Sequence, residues 1–170
     1  MNFFERNRRV ALGFLEHIGS ISIARYRNHS SSVDWERLMK EWDTGESGQG
    51  NDLRRLDPDI PGLTLTYFAC HGSLPLHVDM VGRNKLTFGA IIHSRAPLSI
   101  DAPHESVEVE AGAVFMLDPS KEHGATADES FLFATIDLAE HEAPTAEKFR
   151  RRLNRDLRRI SDRHAIKEKP

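Results

Sequence analysis

Between about residues 62 and 138 the chain breaks into apolar runs too short for ordinary helices: "LTLTYFAC", "KLTFGAII", "PLSI", "SVEVE", "AVFML" and "FLFATIDL". They are rich in β-branched and aromatic residues, and Gly, Pro, Asp or Ser fills the gaps, which is the signature of strands joined by turns. "SVEVE" alternates apolar and polar residues, so one of its faces meets water. Strands at this close spacing, with no helical period between them, predict a mainly β protein, an antiparallel barrel or a sandwich.

The flanks have a different texture. Up to about residue 43 the apolar spacing is helical. Val10, Phe14 and Ile18 recur at four-residue steps, and Trp35, Leu38, Met39 and Trp42 fall on one helical face. Ser31 and Ser32 precede the second stretch and Asp34 lies in its first turn, as a capped helix start requires. The intervening "ISIARYRNHS" reads as strand or loop, and the Gly-rich, acidic "DTGESGQGND" of residues 43–52 as a flexible surface loop. Beyond Pro144 the helical period returns, with Phe149, Leu153, Leu157 and Ile160 in one stripe. The expected organisation is a single domain over residues 1–170. It has a helical N-terminal region (1–50), a barrel core (62–138) and a C-terminal amphipathic helix (144–165).

Charge and cysteine usage narrow the classes. A formal net charge of −3 gives no broad attraction to nucleic acid. The C-terminal segment is locally basic, with ten Lys or Arg against four Asp or Glu from residue 145 onward. This leaves a nucleic-acid contact open there, although a solvated face on a helix packed against the barrel is the plainer reading. A dimer contact through this helix is the other expectation. Cys70 is the lone cysteine, so no internal disulfide framework exists, and a reducing cytoplasm is expected. The opening "MNFFERNRRVALGFLEHIG" has the pattern of neither a signal peptide nor a membrane span, and no later stretch reaches spanning length.

The chemistry concentrates in "LPLHVDM", residues 74–80. Residues two apart on an extended strand point to the same side, so His77 and Asp79 can grip one metal ion. A secure site needs a third donor, and His123 in "AGAVFMLDPSKEHGA" is the best candidate, placed after a buried-type strand and a turn. Two His and one carboxylate on one face, with positions left open, suit non-haem Fe(II) and oxygen chemistry. His71 and His104 fall in turns, and His93 reads as a polar residue at a strand end. Asp118 reads as a turn former before Pro119. Trp35 and Trp42 read as anchors of helix to barrel. There is no Gly-rich phosphate loop, no Gly-x-Ser-x-Gly elbow and no cysteine pair for a zinc ribbon.

The pattern "HVD…NKLTFGAII…GAVFMLDPSKEHGA…FLFATIDL" resembles the Fe(II)- and 2-oxoglutarate-dependent oxygenases, nearest to the aspartyl/asparaginyl and prolyl hydroxylase branches. That resemblance implies a double-stranded β-helix, a cupin-like jelly-roll barrel. It also implies Fe(II) held by His77, Asp79 and His123, 2-oxoglutarate as cosubstrate, and hydroxylation of a small molecule or a side chain. One feature departs from the family. A basic residue that meets the far carboxylate of 2-oxoglutarate commonly follows the distal His, and "FLFATIDL" has none. The resemblance then assigns that role to an earlier strand, to Arg83, Lys85 or Arg95, with Thr87 or Tyr67 donating a hydroxyl. Lys85 and Thr87 are two apart and share a strand face. "GSLPLHVD" and "GAVFMLDPSKEH" equally resemble the two cupin motifs, which implies the alternative of a cupin-type metal or small-ligand binding protein without 2-oxoglutarate. A third reading makes the barrel a scaffold whose basic tail meets an acidic partner.

Overall fold

A computed structural model describes residues 3–25, 32–48, 50, 52–82 and 84–165. Among these residues the elements run in order α1 (Phe3–Arg6), β1 (Glu16–Ile18), β2 (Ile21–Arg25), α2 (Trp35–Glu41), β3 (Asp43–Ser47) and β4 (Leu53–Leu56). There follow β5 (Thr66–His71), β6 (Leu74–His77), β7 (Lys85–Ser94), β8 (Leu98–Ala102), β9 (Glu105–Val109), β10 (Ala113–Leu117), β11 (His123–Thr126), β12 (Ser130–Ala139) and α3 (Ala146–His164). An eight-stranded sheet in the order β1-β2-β10-β7-β12-β5-β4-β3 faces a four-stranded sheet in the order β6-β11-β8-β9. Every named pair is antiparallel. This is the double-stranded β-helix that the strand pattern and the family resemblance lead one to expect.

Alternation on the central strands divides the interior into two layers. On β7, Leu86, Phe88, Ala90 and Ile92 face the helices, and Ile91 belongs to the layer between the sheets. On β10, Val114 and Met116 face the helices while Phe115 and Leu117 face the opposing sheet. The helical layer is laid down mainly by α3, whose Phe149, Leu153, Leu157 and Ile160 are buried as the stripe requires. Thr145 caps α3 by accepting the Lys148 amide. On α2, Asp34 is the N-cap and accepts the amide of Arg37 at 3.1 Å. The helix anchors Trp35 and Trp42 are both buried, with Trp42 edge-on to Tyr67 at 6.4 Å. No helix among the described residues is long and apolar enough to cross a membrane.

Asp156 is fully buried on α3 and ties that helix to the chain entering β5. Its carboxylate accepts the amides of Thr64 and Leu65 at 3.0 Å and the Tyr67 hydroxyl at 3.1 Å. Burial, and then the neighbouring carboxylate, push the Tyr67 phenol far above its ordinary pKa.

Two expectations for the N-terminal region fail. The Val10–Ile18 helix does not form: the only α-helix before residue 34 among the described residues is the four-residue α1. Gly13, at φ 87°, holds a left-handed conformation that ends the turns, and β1 and β2 then form a hairpin whose β2 extends the large sheet beside β10. Val10 and Phe14 pack in the helical layer, but Ile18 packs between the sheets, so the three never share a helix face. The expected loop at residues 43–52 contains β3, an exposed edge strand paired with β4. Of "ISIARYRNHS", Ile21–Arg25 is strand; residues 26–31, including Ser31, lie outside the described residues.

Candidate metal site

The two histidines come from neighbouring strands of the small sheet. His77 ends the edge strand β6, His123 begins β11, and the two residues are direct register partners. Their rings lie 4.5 Å apart, centre to centre. The next residue, Gly124, is where a side chain cannot be placed: a Cβ there would sit 2.6 Å from the Leu74 carbonyl oxygen and 3.0 Å from the Pro75 carbonyl carbon. The glycine therefore permits the close approach of backbones that brings the two imidazoles together, tilted at 55° to one another. Asp79 leaves β6 and is pinned by its own amide, which donates to the Pro119 carbonyl at 2.8 Å.

The three side chains converge. His77 Nε2 lies 3.3 Å from Asp79 Oδ1, and His123 Nε2 lies 3.3 Å from Asp79 Oδ2. Each ring is oriented from behind: His77 Nδ1 donates to the Pro75 carbonyl at 2.7 Å and His123 Nδ1 to the Lys121 carbonyl at 2.8 Å. A carbonyl oxygen only accepts, so Nδ1 carries the proton in both rings and a neutral ring presents its Nε2 lone pair inward. Two lone pairs then face two carboxylate oxygens, an arrangement that requires a positive charge between them. Contact with His123, and then with His77, holds the Asp79 carboxyl far below the usual carboxylate range. The carboxylate in turn raises the pKa of His77, against the opposing effect of burial and with help from the Pro75 carbonyl.

A divalent ion fits the same donors. Bonds of about 2.1 Å at tetrahedral or octahedral angles separate ligand atoms by about 3.0–3.4 Å, and the observed His–Asp separations are 3.3 Å. All three donor groups offer ligand atoms within 4.8 Å of one another.

The cluster opens on a cavity of about 320 Å³ between the two sheets. Its walls are mostly apolar, and four phenylalanines line it, Phe68, Phe115, Phe131 and Phe133, with Phe68 stacked on Phe133 at 5.4 Å. Gly89 on β7 makes room for one of these rings, because a Cβ there would lie 2.2 Å from Phe115 Cζ. Thr87, Thr135 and Asp137 supply the polar wall opposite the histidines.

The other residues expected from sequence are placed as follows. Thr87 lines the cavity, but its hydroxyl donates to Asp137 Oδ1 at 2.5 Å. Lys85 is exposed at the start of β7 and does not line the cavity, although it shares Thr87's side of the strand. Arg95 is bound at the surface to Glu36, at 2.7 Å, and His93 meets the same carboxylate at 3.1 Å. Tyr67 faces the helical layer with its hydroxyl on Asp156, so the large sheet separates it from the triad. Arg83 lies outside the described residues. Asp118 is the turn former expected, accepting the Ser120 amide at 3.0 Å and its hydroxyl at 2.6 Å. Cys70 is buried, and burial lifts its thiol to about 11, so it is no nucleophile.

Fold and cluster together define a class: a double-stranded β-helix whose two histidines and one aspartate could hold a metal ion beside an apolar cavity. No family model matches the chain, and no curated protein does. Among solved structures it is similar to an uncharacterised conserved protein with a double-stranded β-helix domain from Klebsiella pneumoniae, at 17% identity and a TM-score of 0.41 over 62% of this chain and 90% of that one. It is similar to ectoine synthase from P. lautus at 15% identity and a TM-score of 0.41, over 62% of this chain and 79% of that one. An RmlC-like cupin from Shewanella frigidimarina is 16% identical, with a TM-score of 0.38 over 61% of this chain and 86% of that one.

Proposed function

We propose that the protein binds a divalent transition metal through His77, Asp79 and His123 and presents it to a small, largely apolar ligand in the adjoining cavity. The observation that carries this is the pair of imidazoles with Nδ1 tied to backbone carbonyls and Nε2 turned onto one carboxylate at 3.3 Å. Such backing fixes the tautomer and ring plane of a ligand histidine. A bound metal would supply Lewis acidity and, if it is iron, redox chemistry. The chain's own residues hold the ligand's apolar body against the phenylalanine wall and keep bulk water away from it. Purified full-length protein, stripped and then supplied with Mn(II), Fe(II) or Zn(II), should retain about one ion per chain after desalting; retention of none overturns the reading.

A second reading, the Fe(II)- and 2-oxoglutarate-dependent dioxygenase, is favoured by the donor set alone, which suits Fe(II). The cavity lining speaks against its cosubstrate. Among the described residues no Lys or Arg lines the cavity, the Thr87 hydroxyl is engaged, and Asp137 adds a negative charge. A dianion enclosed without a cationic partner carries a large desolvation cost. Accordingly, anaerobic Fe(II) protein should show no weak visible charge-transfer band on addition of 2-oxoglutarate, and aerobic samples should form no succinate. Appearance of both would establish the oxygenase in place of the simpler binding function.

A further inference from the structure

The wall facing the histidines holds a second carboxylate that the metal does not need. Along β12, Phe131, Phe133, Thr135 and Asp137 all face the cavity, while Leu132 and Ala134 face the helices. Asp137 pairs in register with Thr87 on β7 and receives its hydroxyl at 2.5 Å, the short distance typical of a hydroxyl on an ionised carboxylate. Among the described residues no cationic side chain forms an ion pair with it.

We propose that Asp137 receives the ammonium group of a small organic cation, a primary or secondary amine whose apolar body lies along the phenylalanine wall of the cavity. This rests on the reading of the cavity as a ligand site, and it names the class of ligand. Three features select an ammonium over other head groups. Asp79 is already enclosed by the two imidazoles at 3.3 Å, so among the described residues the lining carboxylate still open to a ligand is Asp137, which is exposed at the rim of the cavity. Beside it Thr135 adds a hydroxyl able to accept a second N–H. The rings of Phe68, Phe133 and Phe131 follow at centroid separations of 5.4 and 5.7 Å, and their π faces attract a cation that an anion would be repelled by. The volume of about 320 Å³ lies at the small end of the range for ligand pockets, about 300–1,000 Å³, which suits a ligand of benzylamine size. The histidine cluster belongs to the small sheet and Asp137 to the large one. An amine held at Asp137 thus extends its other end across the cavity toward the metal ligands.

The test is calorimetric titration of the full chain, metal-free and Zn(II)-loaded, with benzylammonium, isobutylammonium, benzyl alcohol and benzoate at neutral pH. An ion pair with a solvent-exposed carboxylate predicts that benzylammonium binds roughly 2–5-fold tighter than benzyl alcohol, with benzoate weakest of all in the metal-free protein. Asp137→Asn should abolish that preference. The proposal is overturned if neither ammonium binds saturably, if benzoate binds as well as benzylammonium, or if Asp137→Asn keeps the preference. Asp137-dependent amine binding by a chain that takes up no metal would support this proposal and remove the metal reading. Stoichiometric metal with no amine preference would do the reverse.

Discussion

Asp156→Ala should lower the stability of the fold by about 3–5 kcal/mol, the range expected when one partner of a buried charged network is removed. The carboxylate is fully buried and satisfies two backbone amides and the Tyr67 hydroxyl at once. Alanine leaves all three donors without an acceptor and without water to replace it. For a chain of this size each kcal/mol shifts the melting temperature by about 2–4 °C, so a drop of about 6–20 °C is expected. Asp156→Asn should lose less, since its amide oxygen still accepts, although its NH₂ must turn toward groups that also donate. Truncating Glu147, whose ion pair with Arg151 is exposed, is the control and should cost less than about 0.5 kcal/mol. Urea titration of the three variants orders them; a Glu147 loss equal to that of Asp156 would contradict the account.

His123→Ala should weaken metal binding by at least about 100-fold, beyond the 10–100-fold typical of losing only an outer partner of a ligand. It removes one of three donors and also the contact that contributes most to keeping Asp79 ionised. The wild-type protein provides the pH signature. An imidazolium has no lone pair, so protons and metal compete, and affinity falls as the pH drops through the titration of the ligand histidines. Because the His77 pKa is raised, that loss begins at a higher pH than for a free imidazole. Asp79 remains ionised throughout this window and does not contribute to the loss. Competition titrations with a chromogenic chelator at several pH values measure both effects. Affinity unchanged in His123→Ala would remove this residue from the site.

Four strands of the large sheet, β5, β7, β10 and β12, were readable because they are runs of β-branched and aromatic residues bounded by Gly, Pro, Asp or Ser. In the small sheet β8 and β9 were equally plain, and β6 and β11 were harder. Leu74–His77 carries a proline and His123–Thr126 is "HGAT", with almost no apolar content, so neither segment announces a strand. Yet these two hold the histidines, which were found through donor chemistry. At the N-terminus, four-residue spacing suggested a helix, and two glycines and a hairpin put the same apolar residues into two different layers. Of the polar wall, Thr87 was legible in the sequence, and Thr135 and Asp137 were missed for another reason. "FLFATIDL" holds no basic residue, yet its plain alternation places Thr135 and Asp137 on the side of Phe133. Asp156 left a similar trace: it stands three residues after Leu153 and four before Ile160, on the buried stripe of α3.

The placement of all three donors on or beside the small sheet has a mechanical consequence. β6 is the outermost strand of that sheet, four residues long, paired through β11 and held beyond its last residue by the Asp79–Pro119 hydrogen bond. An ion held by His77, Asp79 and His123 would act as a clasp on a free hem, fastening the last strand to its neighbour without stitching one sheet to the other. The two layers of core would stay closed with the clasp undone, and amide exchange should quicken on metal removal along residues 74–79 and 123–126, not across β7 or β12.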